Sequence, residues 1–228
     1  MAGEPTKVIV ARDHWKVDEL GHVQWQWRKG QMDGLQKLAT GGKGRFKNFE
    51  KAMTRAFGAE LREQQGVSDE PAFWTTLFKT EVSVGEQAPY NRWKDQFESY
   101  KGLITATKPL TRYIPDAVFL PKAGNEAWVI ETQFELNYEA VGQALSYWYA
   151  FNKVKHGVSK EVFSNPSHME ETEIVSKMLQ GKEIVPKVVC LAAPEDFRVL
   201  CSELEPRIQV FYCEKANATP HSSLGSAA

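Results

Sequence analysis

Asp116, Glu131 and Gln133 carry most of the chemistry that can be read from this sequence. Asp116 falls inside the strand-like run RYIPDAVFL (112–120), and Glu131 and Gln133 fall inside EAWVIETQF (126–134). The connector PKAGN (121–125) offers Gly and Asn, the residues hairpin loops use where φ turns positive. A hairpin turning there sets Asp116 opposite residue 130 or 131. Residues two apart on a strand share a face, so Glu131 and Gln133 project together. Two carboxylates on adjacent half-buried strands repel, and a divalent cation is the usual compensation. Such a cation lowers the pKa of a bound water and neutralises charge on a phosphodiester under attack. The plainer alternative is that one acid faces solvent and the two never meet. The neighbours argue against it: Ile114, Val118, Phe119, Trp128, Val129 and Ile130 are apolar, and Pro115 removes a ladder hydrogen bond beside Asp116.

Pro115-Asp116, fourteen intervening residues and then Glu131-Thr132-Gln133 resembles the PD-(D/E)xK motif of the restriction-endonuclease-like nuclease superfamily. Gln143-Ala-Leu-Ser-Tyr147 is similar to the QxxxY motif of its RecB-like and Cas4-like branch. The resemblance covers about residues 110–192, with a core helix at 44–65 and a strand at 75–84. It implies a restriction-endonuclease-like α/β core with a mixed central sheet flanked by helices on both faces. It also implies Mg²⁺ or Mn²⁺ on Asp116, Glu131 and the carbonyl of Thr132, and hydrolysis of nucleic acid, DNA before RNA.

Gln133 stands where the family has its lysine. Glutamine holds a water by hydrogen bonds but brings no charge to stabilise hydroxide or the pentacovalent phosphate. Two outcomes stay open. A lysine from elsewhere substitutes, with Lys79, Lys108 and Lys122 as candidates, or the fold has kept binding of nucleic acid or protein and lost cleavage. Glu60 and Glu81 are both candidates for a third acid. Gln143 and Tyr147 share one helix face with Glu139, and the resemblance gives them a substrate-positioning role. Read without it, Tyr147 is ordinary core and Gln143 a polar residue bonded to backbone.

The elements that must hold these residues follow from periodicity. A helix is expected at 44–65, ending near Gly66, then a strand at 75–84 and a helix at 90–104. After the hairpin come a deeply buried helix at 138–153 and a helical excursion over 154–186 with its helix near 169–180. Strand 186–192, helix 194–205 and strand 207–213 close the order. The chain divides into a Trp-rich extension (1–42), an α/β domain (43–214) and a loose tail (215–228). Trp15, Trp25 and Trp27 are expected to cover the core rather than stack on bases. TGGKGR (40–45) lacks P-loop spacing and reads as a linker.

Charge is unevenly spread. The chain carries a net charge of −1, yet residues 28–62 hold nine Lys or Arg against three Asp or Glu. Lys43, Lys47, Lys51 and Arg55 recur every four residues, which on a helix makes a basic stripe suited to a phosphate backbone, or simply a solvated face. Phe46, Phe49, Met53 and Phe57 form the face that docks. Hydrophobic residues at 42% and charged residues at 25% exclude a disordered chain, a collagen and a disulfide scaffold. No apolar run approaches 18 residues, and the N-terminus lacks the pattern of a secretion signal. Cys190, Cys201 and Cys213 lie among apolar neighbours without CxxC spacing, and the five histidines show no zinc-site spacing. The expectation is a soluble intracellular protein with buried reduced thiols.

Overall fold

A computed structural model describes residues 15–25, 45–80, 82–84, 113–156 and 166–213 of the 228-residue chain. Seven strands form one mixed sheet: β1 (Trp15–Val17), β2 (Val23–Trp25), β3 (Phe78–Thr80), β4 (Ala117–Phe119), β5 (Glu126–Glu135), β6 (Glu183–Ala192) and β7 (Gln209–Cys213). Their spatial order is β1-β2-β7-β6-β5-β4-β3. The four strands from β2 to β5 run parallel, and the pairs β1–β2, β5–β4 and β4–β3 are antiparallel.

Alternation along the strands sends two sets of side chains to opposite faces. Trp128, Ile130, Ala117, Phe119, Val189 and Phe211 meet α1 (Arg45–Gln64), which buries Phe49, Met53, Phe57 and Leu61 against them. Ala127, Val129 and Val118 meet α3 (Tyr138–Lys155) and α4 (Pro166–Leu179) on the other face. Val188, Cys190 and Val210 pack there against α3 and α5 (Glu195–Glu203). The sheet is therefore covered on both sides, as long apolar central strands require. Asn137 caps α3 by accepting from the Ala140 N–H at 3.0 Å, and Lys153 and Lys155 in its last turn suit the helix dipole.

Four expectations change. The helix expected to be deeply buried, α3, has an exposed side carrying Tyr138 and Tyr149. Residues 15–25 are no separate extension: their hairpin joins the sheet by pairing β2 with β7. Trp15 and Trp25 pack on Phe57 and Phe211, so these two indoles do cover the core. Trp27 lies outside the described residues, as does the helix expected at 90–104. Thr75–Leu77 are not strand but belong to a wide helical turn (Phe73–Leu77) following the short α2 (Glu70–Ala72). The Thr75 and Thr76 hydroxyls donate back to the carbonyls of Pro71 and Ala72, a local bond that competes with extension. Finally, β4 begins only at Ala117, because Pro115 cannot extend the ladder.

Phe57 is fully buried among Trp15, Trp25 and Phe211, with ring centroids 4.9–6.1 Å away. Phe57→Ala should lower stability by about 3–5 kcal/mol in urea unfolding, because the rigid indoles around it cannot collapse into the space.

Candidate active site

The site forms where the β4–β5 ladder stops. Its last pair is Ala117 with Ile130, and continuing that register sets Asp116 opposite Glu131 and Pro115 opposite Thr132. Pro115 has no N–H to give to the Thr132 carbonyl. The chain turns at Asp116 instead, and its Oδ2 accepts the Thr132 N–H at 2.7 Å. The Thr132 side chain lies near enough to this carboxylate to help lower its pKa. In an extended strand the N–H and C=O of one residue point the same way. The Thr132 carbonyl therefore emerges on the edge where Asp116 sits, with no ladder donor across from it.

Glu131 points to the α3 face and is only 5% exposed. Gln133 follows it on that face, and its Nε2 donates to Glu131 Oε1 and to Gln143 Oε1, both at 3.3 Å. Tyr147, one turn beyond Gln143, lies close enough to Glu131 and Asp116 that both add to burial in pushing its hydroxyl pKa up. Asp116, Glu131, Gln133, Gln143 and Tyr147 are thus brought together by β5, α3 and the turn before β4.

The electrostatics record how crowded this corner is. Burial pushes Glu131 up to about 9, and the charges of Asp116, Glu50 and Glu139 add to it against the Gln133 hydrogen bond. Asp116 is also raised by burial, opposed by its Thr132 bonds and by the nearby Lys51 charge. Glu50, on α1, is raised by burial and then by Asp116 and Glu139. Burial and the acidic neighbours favour the protonated form of Glu131, and a divalent cation is the group that would displace that proton.

Glu50 is the acid that sequence reasoning missed. Glu60 lies ten residues further along α1, about 15 Å at the helical rise, and takes no part in this corner. Glu81 lies outside the described residues. Glu50 could have been noticed as the neighbour of Phe49 at the border of the docking stripe, but its place beside Asp116 depends on how α1 crosses β5. Among the described residues no group of three or more His, Cys, Asp or Glu is arranged to hold a metal ion. The fitting donor set is therefore small: Asp116, Glu131 and the Thr132 carbonyl. Mg²⁺ commonly takes one or two carboxylates and completes its shell with water and substrate phosphate.

A cleft of about 1110 Å³ opens beside Asp116, between α1, the β3 edge and α4. Glu50, Lys51, Arg55 and Lys79 line it, with Ile114 and Ile174 exposed on its apolar side. Of the expected basic stripe, Lys51 and Arg55 therefore reach the site. Lys43 and the Lys47 side chain lie outside the described residues, as does Lys108. Lys122 sits past the other end of β4, where its N–H bonds to Gln65 Oε1. Lys79 is the one candidate replacement lysine that the described structure brings to the cleft.

Two other expectations can be placed. All three cysteines are buried and free, and burial pushes the Cys201 thiol up to about 11 and the other two higher still. Among the described residues no helix is long and apolar enough to cross a membrane. Comparison with family models, curated proteins and solved structures gives no match to the chain.

Proposed function

We propose that this chain is a nuclease of the restriction-endonuclease-like kind, hydrolysing phosphodiester bonds in nucleic acid, DNA before RNA, with Mg²⁺ or Mn²⁺. The observation that carries the reading is the junction at Pro115-Asp116. A proline that cannot pair, a carboxylate folded onto Thr132, a Thr132 carbonyl with no ladder donor among the described residues and the buried Glu131 converge at one strand end. The order α1, β3, hairpin, α3, β6 agrees with the order the PD-(D/E)xK resemblance implies.

Asp116, Glu131 and the Thr132 carbonyl would hold the ion, which when bound activates water and neutralises phosphate charge. The chain's own residues do the rest. Lys51 and Arg55 offer positive charge to the backbone of a strand lying in the cleft. Gln133 spends both amide N–H groups on Glu131 and Gln143, so its carbonyl oxygen is left to accept from a water and orient it. Gln143 keeps Gln133 in that pose.

The same Gln133 geometry favours a second reading, a catalytically inactive binding module, because an amide with both donors engaged offers no charge to the transition state. Cleavage assays on single- and double-stranded substrates with Mg²⁺ and Mn²⁺, paired with Mn²⁺ calorimetry, decide. Cleavage with metal supports the enzyme. Metal-independent binding without cleavage supports the module, and neither metal binding nor cleavage rejects the nuclease. In either case the double variant Lys51→Ala/Arg55→Ala should bind DNA more weakly and flatten the log K against log[salt] slope by about 1.5–2.

A further inference from the structure

Thr132 gives Asp116 its N–H at 2.7 Å, and its side chain also helps hold the carboxylate's pKa down against burial. Behind it, buried at the wall of the cleft, stands a second hydroxyl. Thr54 of α1 is 3% exposed, and its Oγ1 lies 2.9 Å from Thr132 Oγ1 and 2.8 Å from the Glu50 carbonyl. A hydroxyl has one proton. Thr54 donates to the Glu50 carbonyl, and where Thr132 turns its own proton toward Asp116, the Thr54 proton is shared between that carbonyl and the Thr132 oxygen. The bonds run from α1 through Thr54 and Thr132 to Asp116.

We infer that Thr54 is a positioning residue for the metal-holding carboxylate of Asp116, an inference that rests on the nuclease reading above. Thr132 is β-branched and stiff at χ1, so a contact that selects its rotamer also selects where its hydroxyl points. Both hydroxyls are buried, and losing either partner leaves a polar atom without a bond that water could replace. Asp116 thereby takes its orientation from α1, the helix that also brings Glu50, Lys51 and Arg55 to the cleft. Partners of this kind, one bond removed from a ligand, commonly change metal affinity by an order of magnitude or more.

The experiment is Mn²⁺ calorimetry on the full chain, with metal-free thermal unfolding of each variant beside it. Thr54→Val keeps the volume and should weaken Mn²⁺ binding about 10-fold. Thr54→Ser keeps the hydroxyl and should return affinity to within about twofold of wild type. Thr132→Val cuts the same chain of bonds nearer the carboxylate, and adding Thr54→Val to it should cost little more, since the two act in series. Thr54→Val binding Mn²⁺ as tightly as wild type overturns the inference. So does Thr54→Ser as weak as Thr54→Val, or additive losses in the double variant. A wild-type chain that binds no Mn²⁺ rejects the nuclease reading itself, which separates the two failures.

Discussion

Asp116→Asn is expected to abolish metal-dependent cleavage, a loss of about 10³-fold or more, while leaving the fold standing. The amide oxygen of Asn still accepts the Thr132 N–H that Asp116 Oδ2 takes at 2.7 Å, so the turn before β4 keeps its closing bond. What disappears is one of two negative charges available to a cation. Mn²⁺ calorimetry should lose its binding isotherm, and far-ultraviolet circular dichroism should be unchanged. Full cleavage by this variant would remove Asp116 from the mechanism, and with it the assignment of this corner as an active site.

Glu131→Gln is expected to stabilise the metal-free protein, increasingly as pH rises. The folded protein holds Glu131 at about 9, against an ordinary value near 4.5, because the side chain is buried beside Asp116. Between those values the folded state binds more protons than the unfolded one, so stability falls as pH rises through the window. Each pH unit inside it costs at most about 1.4 kcal/mol. Gln has the same shape, keeps an oxygen for the Gln133 donor and never ionises. The two proteins should be nearly equally stable near pH 5, with Gln ahead by about 4 kcal/mol at pH 8. His22, whose pKa is lowered by burial, acts in the opposite sense at lower pH, which is why the comparison is made between the two proteins at each pH. Adding Mn²⁺ should invert the order at pH 8, raising the melting temperature of wild type and not of the variant. Parallel curves for both proteins from pH 5 to pH 8 would contradict the burial of a proton-holding Glu131.

The hairpin and the helix after it were legible because each signal is local. Gly124 takes φ +91° in the loop read as a turn, apolar alternation marks β5, and Gln143 and Tyr147 sit one turn apart on α3. Three things were not legible, for three reasons. The threonines at 75 and 76 look like strand formers until their hydroxyls find carbonyls one turn back. Glu50 is embedded in a basic stripe, and only the docking of α1 over the sheet carries it to Asp116. The strands at 15–17 and 23–25 are three residues each, too short to show a period, and their place is set by β7 far along the chain.

That last arrangement bears on how the molecule is made. Val23 pairs with Phe211, so the early hairpin has no strand of the main sheet to pair with until nearly 190 later residues have been synthesised. A growing chain leaving the ribosome must hold the β2 edge unpaired until β7 has emerged. Closure of the β2 edge is then a late, entropically slow event, and until it occurs β7 offers a bare border to any neighbouring chain.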